Sequence, residues 1–239
     1  MKHTTQPIQF GDEGQLATRE LVRRFERLCS RCPEVTDRPL QRHLRTLDAI
    51  DRQYGGVAPL PLEDVPDLVA AALADLAQLE HDARRAERPD DCTDVADLTV
   101  GVALWAIRHE VPITVIEPVA NALAARSNNA RSKQELAAVF GLMQGVIEYL
   151  RPRLASDLER SDPERPWRIL HANMAITAIR TADPALMEYA FDALDAALPD
   201  ERASFYSQAL ALALAPGIAP AVRSHIEARH LKWTSAGNS

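Results

Sequence analysis

Residues 103–112 read ALWAIRHEVP, and residues 175–184 read AITAIRTADP. The two segments align without a gap and share Ala103/Ala175, Ala106/Ala178, Ile107/Ile179, Arg108/Arg180 and Pro112/Pro184. With one residue of slack the match continues through Glu117/Glu188, Ala122/Ala193 and Leu123/Leu194. Each copy reads as a helix, a tight turn and a proline-started helix. The arginine near the end of the first helix complements the negative end of its dipole. Proline at a first helical position loses nothing, because its missing N–H had no partner there. The shared alanines let helices approach closely. ALALAPGIAPAV, 211–222, is a weaker third copy. Recurring, stacking helix pairs mark α-solenoid architectures. The good copies start at 103 and 175 with other helices between them, so no short fixed period is set.

Outward from this repeat, apolar residues keep helical spacing almost everywhere. Leu21, Phe25, Leu28 and Cys32 form one stripe on a helix predicted over 14–32. Leu40, Leu44, Leu47, Ile50 and Tyr54 form a second, and Val69, Leu73, Leu76 and Leu79 a third. Segment 94–109 is apolar nearly all round and predicts a central buried helix. A long stripe from Leu136 to Leu154 contains Pro152, which should end or kink that helix near Leu150. Ser132–Glu135 reads as a capping box, and Asp162-Pro163 and Asp183-Pro184 as acidic caps before a proline. No strand-like alternation appears, and glycine (9) and aromatics (5%) are few for a β fold. The fold expected is all-α: about ten helices as stacked antiparallel pairs, an irregular α-solenoid or multi-helix bundle. The expected organisation is a disordered N-terminus (1–13), an N-terminal helix pair (14–54), a helical core carrying the repeat (55–232) and a frayed tail (233–239). YGGVAPLPLEDVP (54–66) is the linker.

The net charge is −7, which disfavours nonspecific nucleic-acid binding. It is unevenly spread. Residues 15–55 hold nine Lys/Arg against six Asp/Glu, and residues 60–100 hold three against eleven. Solvated helix faces explain this most simply; docking of the basic segment on the acidic one, or on a partner, is the sharper alternative. No apolar run is long enough for a membrane span, and residues 1–12 lack the apolar core of a signal peptide. A cytoplasmic protein with reduced thiols is expected.

Cys29 and Cys32 form a C-x-x-C pair. Redox pairs stabilise a thiolate at a helix N-terminus, whereas these close a helix, just before Pro33, where the dipole opposes a thiolate. They read as small core hydrophobes. The alternative is a zinc site completed by His43 and Cys92. Glu227-x-x-His230 stands alone, without the second copy that a di-iron bundle uses. Nucleophile-elbow and nucleotide-loop motifs are absent. His109-Glu110 beside Trp105 and Arg108 reads as a helix end. Arg19, Arg23, Arg24, Arg27 and Arg31, followed by Arg38, Arg42 and Arg45, raise DNA binding, but the joint between these helices is long and proline-bounded.

No catalytic, cofactor-binding or metal residue is assigned. The expected function is a non-catalytic cytosolic protein-interaction module (adaptor, scaffold or assembly factor) with a protein partner or a homo-oligomeric state. One alternative is a metal- or ligand-dependent helical enzyme or sensor. It would need convergence of Cys29, Cys32, His43 and Cys92, or a pocket lined by Trp105, His109 and His171. The other is a DNA-binding regulator using the arginine-rich N-terminal helices.

Overall fold

A computed structural model of the chain describes residues 18–31, 39–54, 63–154, 166–214 and 218–235. The expected N-terminal tail 1–13, residues 236–239 of the expected tail 233–239, most of the linker (55–62), Cys32 and the Asp162-Pro163 cap lie outside them, while 233–235 belong to a helix. The described residues form ten α-helices and no strand: α1 Thr18–Arg31, α2 Pro39–Tyr54, α3 Val65–Arg85, α4 Pro89–Arg108, α5 Glu117–Asn129, α6 Lys133–Leu154, α7 Pro166–Thr181, α8 Pro184–Ala197, α9 Arg202–Ala213 and α10 Pro220–Ser235. Helices consecutive in sequence pack as pairs: α1 with α2, α3 with α4, α7 with α8 and α9 with α10. Short connections make such neighbours antiparallel.

The chain divides into two compact units, residues 1–128 with 148–152, and residues 129–147 with 153–239. In the first, α4 is the centre and packs on both α1 and α3. Thirteen of its residues are buried, among them Val95, Leu98, Val102 and Trp105. Gly101 allows the closest approach, because a Cβ there would collide with the Leu21 side chain of α1. In the second, α10 packs on α8 as well as on α9. Phe191 and Tyr206 meet edge to face at 5.3 Å and are both fully buried.

The repeat survives as geometry. Glu110 and Ala182 occupy equivalent places and have φ of 56° and 57°, a left-handed turn that usually selects glycine. Their N–H groups donate to the equivalent carbonyls of Ile107 and Ile179, both at 3.1 Å. After the turn the copies diverge. Asp183 caps α8, its carboxylate accepting from the Ala185 and Leu186 amides at 2.8 and 3.4 Å, and Pro184 opens the helix. Pro112 does not open one, because α5 begins only at Glu117. Val111 precedes Pro112 and has no capping oxygen. It is buried together with Ile113 and Ile116 along a non-helical stretch. Nor does α6 stop near Leu150. It continues to Leu154 with Pro152 in its last turn, where a missing N–H forfeits a single intrahelical bond. The capping box forms at Ser132, whose hydroxyl accepts from the Glu135 amide at 3.1 Å. The returning Glu135 carboxylate accepts from the Arg131 amide instead, at 2.7 Å.

Candidate functional site

The basic and acidic segments find each other within the first unit. Arg24 of α1 donates to Asp97 of α4 at 2.8 Å, and Arg126 of α5 sits 3.3 Å from the same carboxylate. Arg31 pairs with Asp91 and Asp94. Arg23, Arg24 and Arg27 all approach Glu20, and the hydrogen bond from Arg27 holds the Glu20 carboxyl below its usual range. Arg45 reaches Glu26 at 3.1 Å. Two arginines of the basic segment, Arg24 and Arg31, thus dock on the acidic one, while Arg23, Arg27 and Arg45 pair within their own segment and stay exposed. The arginines that raised DNA binding are largely engaged by carboxylates, whereas phosphate recognition works by exchanging counterions for protein cations.

The cysteine cluster does not assemble among the described residues, where no group of three or more His, Cys, Asp or Glu side chains is placed to hold a metal ion. Cys29 is buried beside Phe25 and Leu28 in the α1 core stripe, and burial raises its thiol pKa. Cys92 is half-buried on α4 and is raised chiefly by burial as well. His43 faces Asp75 of α3, Nδ1 to Oδ2, at 3.2 Å.

Trp105 and His109 do meet, with ring centroids 4.4 Å apart. Both converge on Asp51 of α2. Its Oδ1 accepts from the Trp105 indole at 2.8 Å and lies 2.7 Å from His109 Nε2, while Oδ2 accepts from Arg108 at 3.2 Å. The His109 side chain has no exposed surface. The cluster staples α2 to the end of α4, with His109 buried and Asp51 and Arg108 partly exposed. His171 belongs to the second unit, where it packs edge-on against Trp167 at 4.4 Å. Glu227 and His230 stay on α10, where the His230 ring lies 3.4 Å from the Ser207 hydroxyl. A groove of about 430 Å³ runs between α3 and α5, lined by Gln78, His81, Arg84, Glu117 and Asn121 among others. Arg84 is paired with Glu80, and Gln78 with Asp82.

A second buried carboxylate organises α8, α9 and α10. Asp195 Oδ1 accepts from Tyr206 at 2.9 Å; Oδ2 accepts from Arg229 at 2.7 Å and from Trp233 at 2.9 Å. Arg202 donates Nε to the Asp195 backbone carbonyl at 2.6 Å and lies over the Trp233 ring at 4.2 Å. Arg229 also reaches Glu188 and Asp192, each at 2.6 Å. Burial opposes its charge, but the bonds to Asp192 and Asp195 prevail and raise its pKa. This knot is saturated and structural.

The feature that sequence reading missed lies next to it. Residues 203–222, ASFYSQALALALAPGIAPAV, contain no Asp, Glu, Lys, Arg or His. Such a stretch ought to be core, yet α9 buries only Tyr206 and Ala213. Leu212 is 74% exposed, Leu214 61% and Ile218 37%, flanking the connection to α10; Leu231 on α10 is 64% exposed. Every large apolar side chain open to solvent among the described residues, these four with Ile176 and Tyr189, belongs to the second unit. The length of the charge-free run was the available signal. Comparison of the chain with family models, curated proteins and solved structures finds no match.

Proposed function

We propose that this chain is a non-catalytic protein-interaction module, an adaptor, scaffold or assembly factor, whose contact surface lies on the α9–α10 hairpin around the charge-free run 203–222. The exposure of Leu212, Leu214, Ile218 and Leu231 carries this reading. Single exposed leucines are ordinary, but several on one hairpin mark an interaction site. Two further observations support it. The polar groups that could do chemistry, around Asp51 and Asp195, are committed to holding helices together. No helix among the described residues is long and apolar enough to cross a membrane, so the patch is not part of a helical span. We place the module in the cytosol, where free thiols such as Cys29 and Cys92 persist.

A photo-crosslinking amino acid placed at Leu212 in cells tests the reading. The expected result is covalent capture of a protein, whatever its identity, above the level seen with the same group at exposed Ala137 of α6. Capture no greater than at Ala137 would remove the proposal.

A further inference from the structure

We infer that the partner covering the α9–α10 hairpin is a second copy of this chain, in a two-fold symmetric dimer. The inference rests on the interaction reading above and names its partner. A two-fold contact sets a patch against the same patch of the second copy, residue i meeting residue j and j meeting i, and only groups on the axis meet their own images. On a chain of net charge −7, most surfaces placed this way bring like charges together. The run 203–222 is the exception, with no side chain charged at neutral pH. Aliphatic side chains are complementary to themselves.

The cations bordering the run are already engaged. Arg229 is held by Glu188, Asp192 and Asp195, Arg202 by the Asp195 carbonyl, and Arg223 donates to the Ala213 carbonyl at 3.2 Å. An acidic peptide would have to break these pairs before it could use those charges, whereas an uncharged surface meets the patch as it stands. The size also fits. The four exposed aliphatic residues offer roughly 400 Å², about half of what one partner contributes to a standard interface. Uncharged Ser204, Ser207, Gln208 and Ala211 on α9 and Ala221, Ser224 and Ala228 on α10 are exposed on the same two helices.

Sedimentation velocity of the full chain from about 0.1 to about 100 µM tests the inference, since an interface of this size should assemble at micromolar concentration or below. The expected result is a monomer–dimer equilibrium weakened tenfold or more by Leu212→Asp with Leu214→Asp, and unchanged by Ile176→Asp on α7. Circular dichroism checks that each variant is folded, and the pair Leu212→Ser with Leu214→Ser replaces the acidic pair if that one does not fold. A wild-type chain that stays monomeric throughout overturns the inference. So does a dimer indifferent to both double variants. A monomeric chain that still captures a different protein through the crosslinker at position 212 overturns the second copy and leaves the interaction reading intact.

Discussion

Two charge-free stretches are LTVGVALWAI at 98–107, in α4, and ASFYSQALALALAPGIAPAV at 203–222, which runs through α9 into the start of α10. They meet opposite fates. In α4, Leu98 is fully buried and Leu104 is 5% exposed; in α9, Leu212 is 74% exposed. Composition does not separate the two, but their neighbours do. α4 has α1 and α3 packed against it, and a glycine where α1 comes closest. α9 pairs with α10 and is anchored through one aromatic residue, Tyr206, whose hydroxyl ends on Asp195. One helix is seated by apolar burial. The other is seated by a polar knot that leaves most of its apolar surface outside.

The strongest way to break this comparison is to remove each seat in turn. Asp195→Ala strands the buried Arg229, the Tyr206 hydroxyl and the Trp233 indole, and should cost about 3–5 kcal/mol, the range for breaking a buried ion pair. Trp105→Ala removes a fully buried aromatic and should cost about 3–5 kcal/mol by a different route, cavity formation and lost contact. Urea unfolding with regional hydrogen exchange separates them. Asp195→Ala should deprotect α8–α10 first, and Trp105→Ala α1–α4. Equal loss of protection in both regions from either change would mean that the two seats are not independent.

A smaller effect sharpens the packing side. Gly101→Val should cost about 1–3 kcal/mol, because the new side chain must displace Leu21 from a core without spare volume. Ala211→Val on the exposed face of α9 should stay within about 0.5 kcal/mol. Thermal melts of the two variants compare them directly, and a neutral Gly101→Val would show that Leu21 has room to move.

The knot has a pH signature. Burial, with Asp195 second, raises the Tyr206 phenol above its ordinary range. The unfolded chain therefore releases this proton first, near pH 10. The contribution is complete below that pH and is lost as pH rises, by up to about 1.4 kcal/mol per unit, until the folded phenol also ionises. Tyr206→Phe should lessen this alkaline slope, read by urea unfolding between about pH 8 and pH 11, with Cys29, Cys92 and Tyr149 keeping the remainder. At neutral pH it should cost about 1.5–3 kcal/mol, the range for a hydrogen bond to a charged group. An unaltered slope would place the titrating group elsewhere.

Much of the fold could be read from sequence because its causes are local. Apolar periodicity located the helices. The repeat located two identical left-handed turns at Glu110 and Ala182, although neither residue advertises one. Pro112 misled because proline only permits a helix start. Asp183 adds a side-chain cap in the second copy that Val111 cannot add in the first, although α4 starts at Pro89 without one. The pairing of Arg24 and Arg31 with α4 was visible only as a charge imbalance, since which carboxylate each meets depends on tertiary packing. The two aspartate clusters were out of reach for the same reason. Asp51 and Trp105 are 54 residues apart, and Arg229 and Asp195 are 34 apart. The exposed hairpin was missed for the opposite reason. Its sequence looks like core, and exposure is a property of what does not pack against it.

The smallest expected effect bears most directly on function. Leu212→Asp should lower the stability of the monomeric chain by no more than about 1 kcal/mol, from helix propensity and an anion in the last turn, because the side chain is 74% exposed and leaves no cavity when replaced. The same change on α4, Leu104→Asp, buries an unpaired carboxylate and should unfold the helix from its neighbours. If Leu212 serves only as surface, its replacement by a better-hydrated residue has no further effect. If it is contact surface, stability measured at low concentration changes no further while association is lost. Melting temperature followed against protein concentration distinguishes these cases. A wild-type value that rises with concentration beside a variant value that does not would locate binding free energy at Leu212, since association stabilises only the folded form.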